Sequence, residues 1–138
     1  MKILVAVDGS KPSLKAVQLL IDHAGWYRDR PEVELVTVHL PVPQVAHLNK
    51  AQVEKYYNEE GEAMLAPAKK KLAAAGIAYQ ARVLVGPVAE AIVKHAKDKR
   101  CDFIYIGTRG MSGLGAVLVG SIALKVLHIA ETPVLLVK

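Results

Sequence analysis

The sequence predicts an α/β fold in which an open, five-stranded parallel sheet carries helices on both faces. Three observations lead to this prediction. Five short apolar segments alternate with four helical patterns along the chain. The segments at residues 2–7 and 102–106 are apolar almost throughout, which is typical of central strands covered on both faces. The length of 138 residues, with 52% of them hydrophobic, predicts one domain over residues 1–138 whose hydrophobic core is large enough to be stable without disulfide bonds or structural metals.

Apolar periodicity sets the order of the elements. The predicted elements are a strand at 2–7, a helix within 11–27, a strand at 33–40, a helix at 50–75, a strand at 78–85, a helix that opens at 86–87, a strand at 102–106, a helix that ends near 130 and a strand at 133–137. Strands that alternate with helices in this way run parallel, because each helix returns the chain to the same end of the sheet.

Prolines and glycines mark the ends of elements in the first half of the chain. Pro12 suits the first turn of the first helix, where a missing N–H costs little. Pro41 and Pro43 end the second strand and make a loop. Gly76 follows the long helix at its expected carboxyl end, whereas Pro67 inside that helix is expected to kink or split it.

The third strand has a different pattern from the first and fourth. It alternates between apolar and polar side chains: Tyr79, Ala81 and Val83 against Gln80 and Arg82. This alternation predicts one solvated face and a position toward the edge of the sheet. The next helix carries its apolar residues at helical spacing: Val88, Ile92 and Ala96.

Composition and charge exclude several classes of function. The single cysteine, Cys101, excludes a disulfide framework within the chain and a cysteine-rich zinc site. The net charge is +5. Residues 1–69 carry 8 basic and 9 acidic residues, and residues 70–138 carry 10 basic and 4 acidic ones, so the positive excess lies in the second half. This excess suits an anionic ligand or an ordinary solvated surface. One Trp and one Phe argue against nucleic acid as a partner. Without an export signal or an apolar span of about 20 residues, we expect a soluble, cytoplasmic protein with no membrane partner.

Two loops at strand ends are candidates for a ligand site, because ligands bind open α/β sheets where the strand order reverses. If the first and fourth strands are neighbours there, the loops are Asp8-Gly9-Ser10 and the segment 107–120. The second loop has five glycines in fourteen residues, so its N–H groups can approach a bulky anion, although the same glycines could merely shape a turn. Gly120-Ser121 then lies near the start of the last helix, where free N–H groups and the helix dipole favour phosphate.

Two common nucleotide motifs are absent from the chain. Neither G-x-x-x-x-G-K-[ST] nor G-x-G-x-x-G occurs, which excludes a P-loop ATPase and disfavours a dinucleotide fold. For Asp8 we favour a ligand role, toward ribose hydroxyls or a nucleotide-bound Mg²⁺, over capping of its turn. Arg109 could pair with a phosphate or be an ordinary exposed loop arginine. His39 and Cys101 are interpreted as structural, and no metal site of the protein itself is expected.

The glycine spacing is similar to that of a known family. Gly107-x2-Gly110-x9-Gly120-Ser121 resembles the nucleotide-binding motif of the universal stress protein family, and the opening strand with Asp8 does so too. The resemblance continues through Val38-His39-Leu40 and residues 131–137, and it covers essentially the whole chain. The glycine spacing combined with the early aspartate is the specific part of the match.

The resemblance implies a strand order of 3-2-1-4-5 and a regulatory stress-response protein that binds ATP, or ADP or AMP, with Mg²⁺. By position, it implies that Ala6 and Asp8 lie beside the nucleoside, that Leu40 lines the adenine pocket and that Ile106 begins the phosphate loop. The remaining contacts implied for phosphate and ribose are Gly107, Thr108, Arg109, Gly110, Met111, Ser112, Gly120, Ser121 and Ile122.

The resemblance also implies a homodimer paired through the last strand, residues 133–137, whose short apolar edge invites pairing. One feature departs from the family: Gly115-Ala116 stands where many members carry basic residues, which leaves Arg109 as the only cation in the loop. Two alternatives stay open. One is a slow ATPase or phosphotransferase, against which stands the lack of an evident general base and of a Walker lysine. The other is a nucleotide-free interaction module that works through its dimer surface.

Overall fold

The structure, a computed structural model, describes residues 1–108 and 119–138, apart from the side chain of Gln44. Strands and helices alternate through these residues. In chain order they are β1 (Lys2–Ala6), α1 (Leu14–Asp22), β2 (Glu32–His39), α2 (Lys50–Ala74), β3 (Tyr79–Val85), α3 (Val88–Asp98), β4 (Phe103–Gly107), α4 (Ser121–Ile129) and β5 (Val134–Val137), with short 3₁₀ turns at Ala24–Trp26 and Pro43–Val45.

The five strands form one parallel sheet in the order β3-β2-β1-β4-β5. This order confirms the predicted fold class and topology. The chain builds the sheet outward from β1 to β3 and then returns to place β4 on the other side of β1. The carboxyl ends of β1 and β4 are therefore adjacent where the strand order reverses, and Ala6 lies opposite Ile106.

Side chains alternate along each strand, so the sheet has two apolar layers. In β1, Ile3 and Val5 pack into the layer covered by α1 and α2, whereas Leu4 and Ala6 pack into the layer covered by α3 and α4. Strand β1 is buried on both faces, as its continuous apolar sequence predicts. Strand β3 lies at an edge and alternates between more and less exposed residues, as its sequence pattern predicts.

Helix α1 is shorter than the predicted segment 11–27, whereas helix α2 has nearly its predicted length but is not interrupted at Pro67. Helix α1 ends at Asp22 and a 3₁₀ turn follows, because His23 leaves helical geometry and Gly25 has little preference for a helix. Helix α2 runs unbroken through Pro67, so the proline does not split it. Its amino end carries a reciprocal capping box between Asn49 and Gln52, which satisfies two otherwise free N–H groups.

Helix α2 also approaches the sheet closely at one point. Gly61 faces Val83 of β3, and a Cβ atom at position 61 would overlap both methyl groups of that valine. The glycine lets a long helix lie flat on the edge of the sheet.

No helix in the described ranges combines the length and the apolar character that crossing a membrane requires.

Candidate functional site

A cavity of about 280 Å³ lies at the carboxyl ends of β1 and β4, where the strand order reverses. This is the position at which open α/β sheets bind ligands. Five elements and the turns after β1 and β4 contribute to it. Its lining consists of Ala6, Val7, Asp8, Ser13, Val36, Val38, Val88, Ile92, Ile106, Gly107, Thr108, Gly120, Ser121, Ile122 and Ala123.

One part of the cavity is an apolar slot between β2 and α3. Val36 and Val38 project from the same face of β2, and Val88 and Ile92 follow each other by one helical turn on α3. Branched aliphatic side chains of this kind suit a flat, weakly polar ring. The slot therefore has the low polarity that suits a flat ring such as a nucleobase.

The amino end of α4 forms a second part of the cavity. Ser121, Ile122 and Ala123 occupy the first turn of α4, and all three line the cavity. Their N–H groups precede the first intrahelical bond, which Leu124 donates to the Gly120 carbonyl, and no described side chain caps them. Free amides and the positive end of the helix dipole make this turn suitable for an anion.

The amide of Gly120 is not free in the same way. It donates to the Thr108 carbonyl at 2.6 Å, and the Thr108 amide donates to the Val137 carbonyl at 2.8 Å. These bonds tie the two ends of the glycine-rich segment together beside β5. Of the amides at this end of the segment, those at the start of α4 therefore remain for a ligand, rather than that of Gly120.

A hydrogen-bonded turn holds Asp8 at the edge of the cavity. The Asp8 Oδ1 atom accepts from the amide of Ser10 at 2.9 Å and from its hydroxyl at 2.5 Å. Ser13, which is buried, donates its hydroxyl to the Ser10 carbonyl at 2.9 Å and accepts from the Asp8 amide at 3.3 Å. Asp8 therefore caps its own turn and lines the cavity at once, so the two interpretations of this residue are compatible.

Glycines shape the backbone on both sides of the site. Gly9 has a φ of +81°, which side chains other than glycine rarely adopt, and it reverses the chain after Asp8. At the end of β4, a Cβ atom on Gly107 would lie 3.1 Å from the Pro12 carbonyl oxygen and 3.3 Å from the Ser13 Cα. Gly107 thus lets β4 approach the start of α1 and brings the two loops together.

The structure places most of the predicted site residues in one place. Eight of them line the cavity: Ala6, Asp8, Ile106, Gly107, Thr108, Gly120, Ser121 and Ile122. Leu40 lies beyond the lining, with 60% of its surface exposed, after the end of β2. Arg109, Gly110, Met111 and Ser112 lie outside the described residues.

Several lining residues were missed by sequence reasoning. Val36 and Val38 could have been found from the alternation of β2, and Val88 and Ile92 from the helical spacing of α3. Ser13 gave no comparable signal. Among the described lining residues, Asp8 is the only ionisable one, and the described part of the chain contains no cluster of three potential metal ligands.

His39 and Cys101, interpreted as structural, lie outside the cavity. The His39 ring packs 5.7 Å from that of Tyr57 on α2, and its buried Nε2 atom has no hydrogen-bond partner among the described residues. Burial, followed by the charge of Glu34, raises the pKa of the Cys101 thiol to about 11. A thiol with this pKa is protonated at neutral pH, which fits a small core side chain rather than a nucleophile.

Comparisons with known proteins agree with the geometry. A family model described as "Universal stress protein family" matches residues 1–138. The universal stress protein YxiE of Bacillus subtilis is 32% identical over 99% of this chain and 98% of its own length. The solved structure of the protein MJ0577 superimposes with a TM-score of 0.83 at 28% identity, covering 99% of this chain and 94% of that one. A universal stress protein solved in complex with cAMP gives a TM-score of 0.74 at 26% identity, covering 100% and 97%.

Proposed function

The chain belongs to the universal stress protein family, and from that premise we propose that it binds adenine nucleotides, ATP with Mg²⁺ above all, as a regulatory stress-response protein. One observation carries the proposal: an apolar slot and the uncapped amino end of α4 meet in a single cavity where the strand order reverses. The relative of similar fold that was solved with cAMP supports the choice of an adenine nucleotide.

The cavity suggests how a nucleotide would lie. The base would enter the slot between Val36 and Val38 on one side and Ile92 on the other. The ribose would then come beside Asp8 and Ala6, and the α-phosphate would face the first turn of α4. Leu40 would reach the base only if the segment after β2 moved toward the cavity.

By the family resemblance, contacts to the remaining phosphates would come from the glycine-rich motif, including Arg109 and Gly110. The described lining offers one carboxylate, Asp8, whose Oδ1 atom already holds its turn. A Mg²⁺ ion prefers several oxygen ligands, so it would be held chiefly by the phosphates, with Asp8 as a single protein contact. The regulatory signal would then be the positions of residues 107–120 and 41–50, which a protein partner could recognise.

A charge placed at the start of α4 tests the proposal. Ser121→Asp favours the helix, because acidic residues stabilise a helix amino end, yet it repels a phosphate at the same point. We expect the wild-type protein to gain about 2.7 kcal/mol of stability at 100 times the Kd of MgATP, and Ser121→Asp to lose most of that gain.

The matched control is Ala51→Asp, which puts the same charge in the first turn of α2, on an exposed residue outside the cavity lining. This variant should keep the full thermal shift.

Mass spectrometry of the denatured, purified protein would also show whether a nucleotide copurifies. If MgATP, ADP and AMP all leave the melting temperature of the wild-type protein unchanged, the proposal is wrong. Phosphate release well above a Gly120→Val control would instead favour the slow ATPase.

We also propose that the chain forms a homodimer through β5 and α4. Strand β5 is an edge of the sheet, and Leu135 on it is exposed. The neighbouring helix α4 exposes Leu124 and Leu127, at 51% and 48%, one turn apart. An apolar edge strand beside an apolar helix row is a surface that a second copy could cover.

The dimer is tested by light scattering of the purified protein. Leu135→Glu places a charge on the β5 edge and should yield monomers. The matched control is Val85→Glu on β3, at the opposite edge of the sheet, where the valine is exposed to 46%. A wild-type protein that is monomeric at every concentration tested would refute the dimer without affecting the nucleotide proposal.

A further inference from the structure

A second cavity, of about 290 Å³, lies between the turn after β1 and helix α2. Its lining consists of Asp8, Gly9 and Ser10 from the turn and of Glu60, Ala63 and Met64 from α2. Asp8 also lines the first cavity, so the two cavities share one wall. The proposed function uses the first cavity only. In the second cavity, the thioether of Met64 is a nucleophilic, oxidisable group that this function leaves without a role.

Met64 packs tightly against the turn that holds Asp8. A Cβ atom on Gly9 would lie 3.3 Å from both the Cα and the Cγ atom of Met64. Gly9, with its φ of +81°, reverses the chain directly after Asp8. There is thus little spare room between this part of Met64 and the turn. A change in the shape of the Met64 side chain is therefore transmitted to Gly9 and to the neighbouring Asp8.

The sulfur atom of Met64 contacts a buried hydroxyl group. Thr37 on β2 is 1% exposed, and its hydroxyl donates to the Met64 Sδ atom at 3.5 Å. A thioether is a weak acceptor, so this buried donor is only weakly satisfied. A sulfoxide oxygen on Met64 would be a stronger acceptor for the same hydroxyl. Because an oxygen atom does not fit between two atoms 3.5 Å apart, forming that bond requires the Met64 side chain to move.

We propose that Met64 is a modification site at which a peroxide oxidises the thioether to the sulfoxide, and that the sulfoxide weakens binding at the neighbouring nucleotide site. The second part rests on the proposed function. Met64 is partly exposed and forms part of the wall of an open cavity, so a molecule as small as hydrogen peroxide can reach it.

The oxidation needs only the thioether and the peroxide. A lone pair of the sulfur attacks one oxygen of hydrogen peroxide, the O–O bond breaks and an S–O bond forms. The second oxygen leaves as water, with the proton of the first. Sulfur loses two electrons and the peroxide gains them. The product is polar and chiral where the thioether was apolar, and its oxygen accepts from Thr37. The displaced Met64 side chain then shifts the turn that places Asp8 in the first cavity.

The first test treats the purified protein with hydrogen peroxide in the absence of nucleotide. Peptide mapping by mass spectrometry follows each of the three methionines, Met1, Met64 and Met111. We expect Met64 to gain one oxygen atom while circular dichroism shows that the protein is still folded. Met1, which is 51% exposed, is the reference for an accessible thioether. A Met64 that stays reduced after Met1 is fully oxidised would overturn the proposal.

The second test measures the affinity for AMP by calorimetric titration before and after the same treatment. We expect the oxidised wild-type protein to bind AMP about fivefold more weakly than the untreated protein. Met64→Leu is the matched control, because leucine replaces methionine at little cost and cannot be oxidised. This variant retains Met1 and Met111, so any effect of oxidising those two persists in it. An equal loss of affinity in Met64→Leu and in wild type would refute the effect assigned to Met64.

A third measurement uses the wild-type protein alone, so it does not depend on the folding of a variant. A partly oxidised sample is passed over immobilised AMP, and the retained and unretained fractions are mapped separately. The sulfoxide of Met64 should be enriched in the unretained fraction. Equal amounts of this sulfoxide in the two fractions would contradict the proposed weakening of binding.

These tests separate the modification site from the proposed function. If the untreated protein binds no AMP, the proposed function fails and so does the effect on affinity, whereas oxidation of Met64 in the folded protein would still establish the modification site. If AMP binds and Met64 resists the peroxide, the proposed function stands and the further inference is wrong.

Discussion

The two faces of the sheet are built from the same strands but differ in how completely helices cover them. On one face, α1 and the 25 residues of α2 pack over β1, β2 and β3, and Leu20, Leu65 and Leu72 are fully buried. On the other face, α3 has eleven residues, and α4 begins beyond the end of β4, where Ala6 provides little bulk. We infer that the cavity is a consequence of short elements and small side chains at one corner.

A pair of equivalent truncations measures this difference most directly. Leu65→Ala and Ile92→Ala each remove three carbon atoms from a buried side chain, on the closed and the open face respectively. Leu65→Ala should lower the free energy of unfolding by about 3–4 kcal/mol, because its surroundings are packed on every side. Urea denaturation measures the loss. A loss below about 1 kcal/mol would contradict the tight packing assigned to the closed face.

Ile92→Ala should cost less, about 2 kcal/mol, at the low end of the range for such truncations. Ile92 lines the cavity, so one side of its chain already lacks packing partners. The same variant should weaken nucleotide binding, whereas Leu65→Ala should bind nucleotide normally once it is folded. If the two variants lose equal stability, the faces do not differ in the way that the geometry indicates.

The sequence predicts the features of the two faces that depend on patterns along one segment of the chain, but not those that depend on contacts between distant segments. The continuous apolar run of β1 and the alternation of β3 predicted a central and an edge strand, and the glycine spacing pointed to the corner of the sheet where the cavity lies. Side-chain direction at the end of β2 was harder. Val38 lines the cavity, whereas His39 packs against Tyr57 of α2. Because β2 ends at His39, the alternation of the strand does not tell which face Leu40 would lie on.

A buried contact between Glu34 on β2 and His95 on α3 could not be predicted, because the two residues are 61 positions apart in the chain. In sequence, Glu34 interrupts an apolar strand and His95 is one polar residue of an amphipathic helix. Only the packing of α3 over β2 brings them together. The apolar walls of the cavity have the same origin, since β2 and α3 are adjacent in space but not in sequence.

A smaller effect concerns how closely the closed face is packed. Gly61→Ala gains helix propensity, about 1 kcal/mol, but its Cβ atom meets the stiff, β-branched Val83. Overpacking of this kind costs about 1–3 kcal/mol, so we expect a net loss of about 1 kcal/mol in urea denaturation. Gly25→Ala is the matched control, since nothing lies within 4 Å of the added atom, and it should not destabilise the protein. A stabilised Gly61→Ala variant would show that α2 can lift from β3 at no cost.

The effect with the narrowest range, because it is confined to alkaline pH, comes from the Cys101 thiol beneath the open face. Burial, and then the Glu34 charge, raises the pKa of Cys101 from 9.0 to about 11. Above pH 9 the unfolded chain therefore gives up the thiol proton while the folded chain retains it. The folded state then binds more protons, so stability must fall as pH rises from about 9 to 11, and be unaffected by this group below pH 9. Cys101→Ala removes the effect, and the difference between the two melting profiles isolates it.

Because Glu34 contributes to the shift, the same difference measured with Glu34→Gln as the parent protein should be smaller. An equally large difference with this parent would place the Glu34 charge too far from Cys101 to act on it, and would weaken the assignment of both residues to one buried layer.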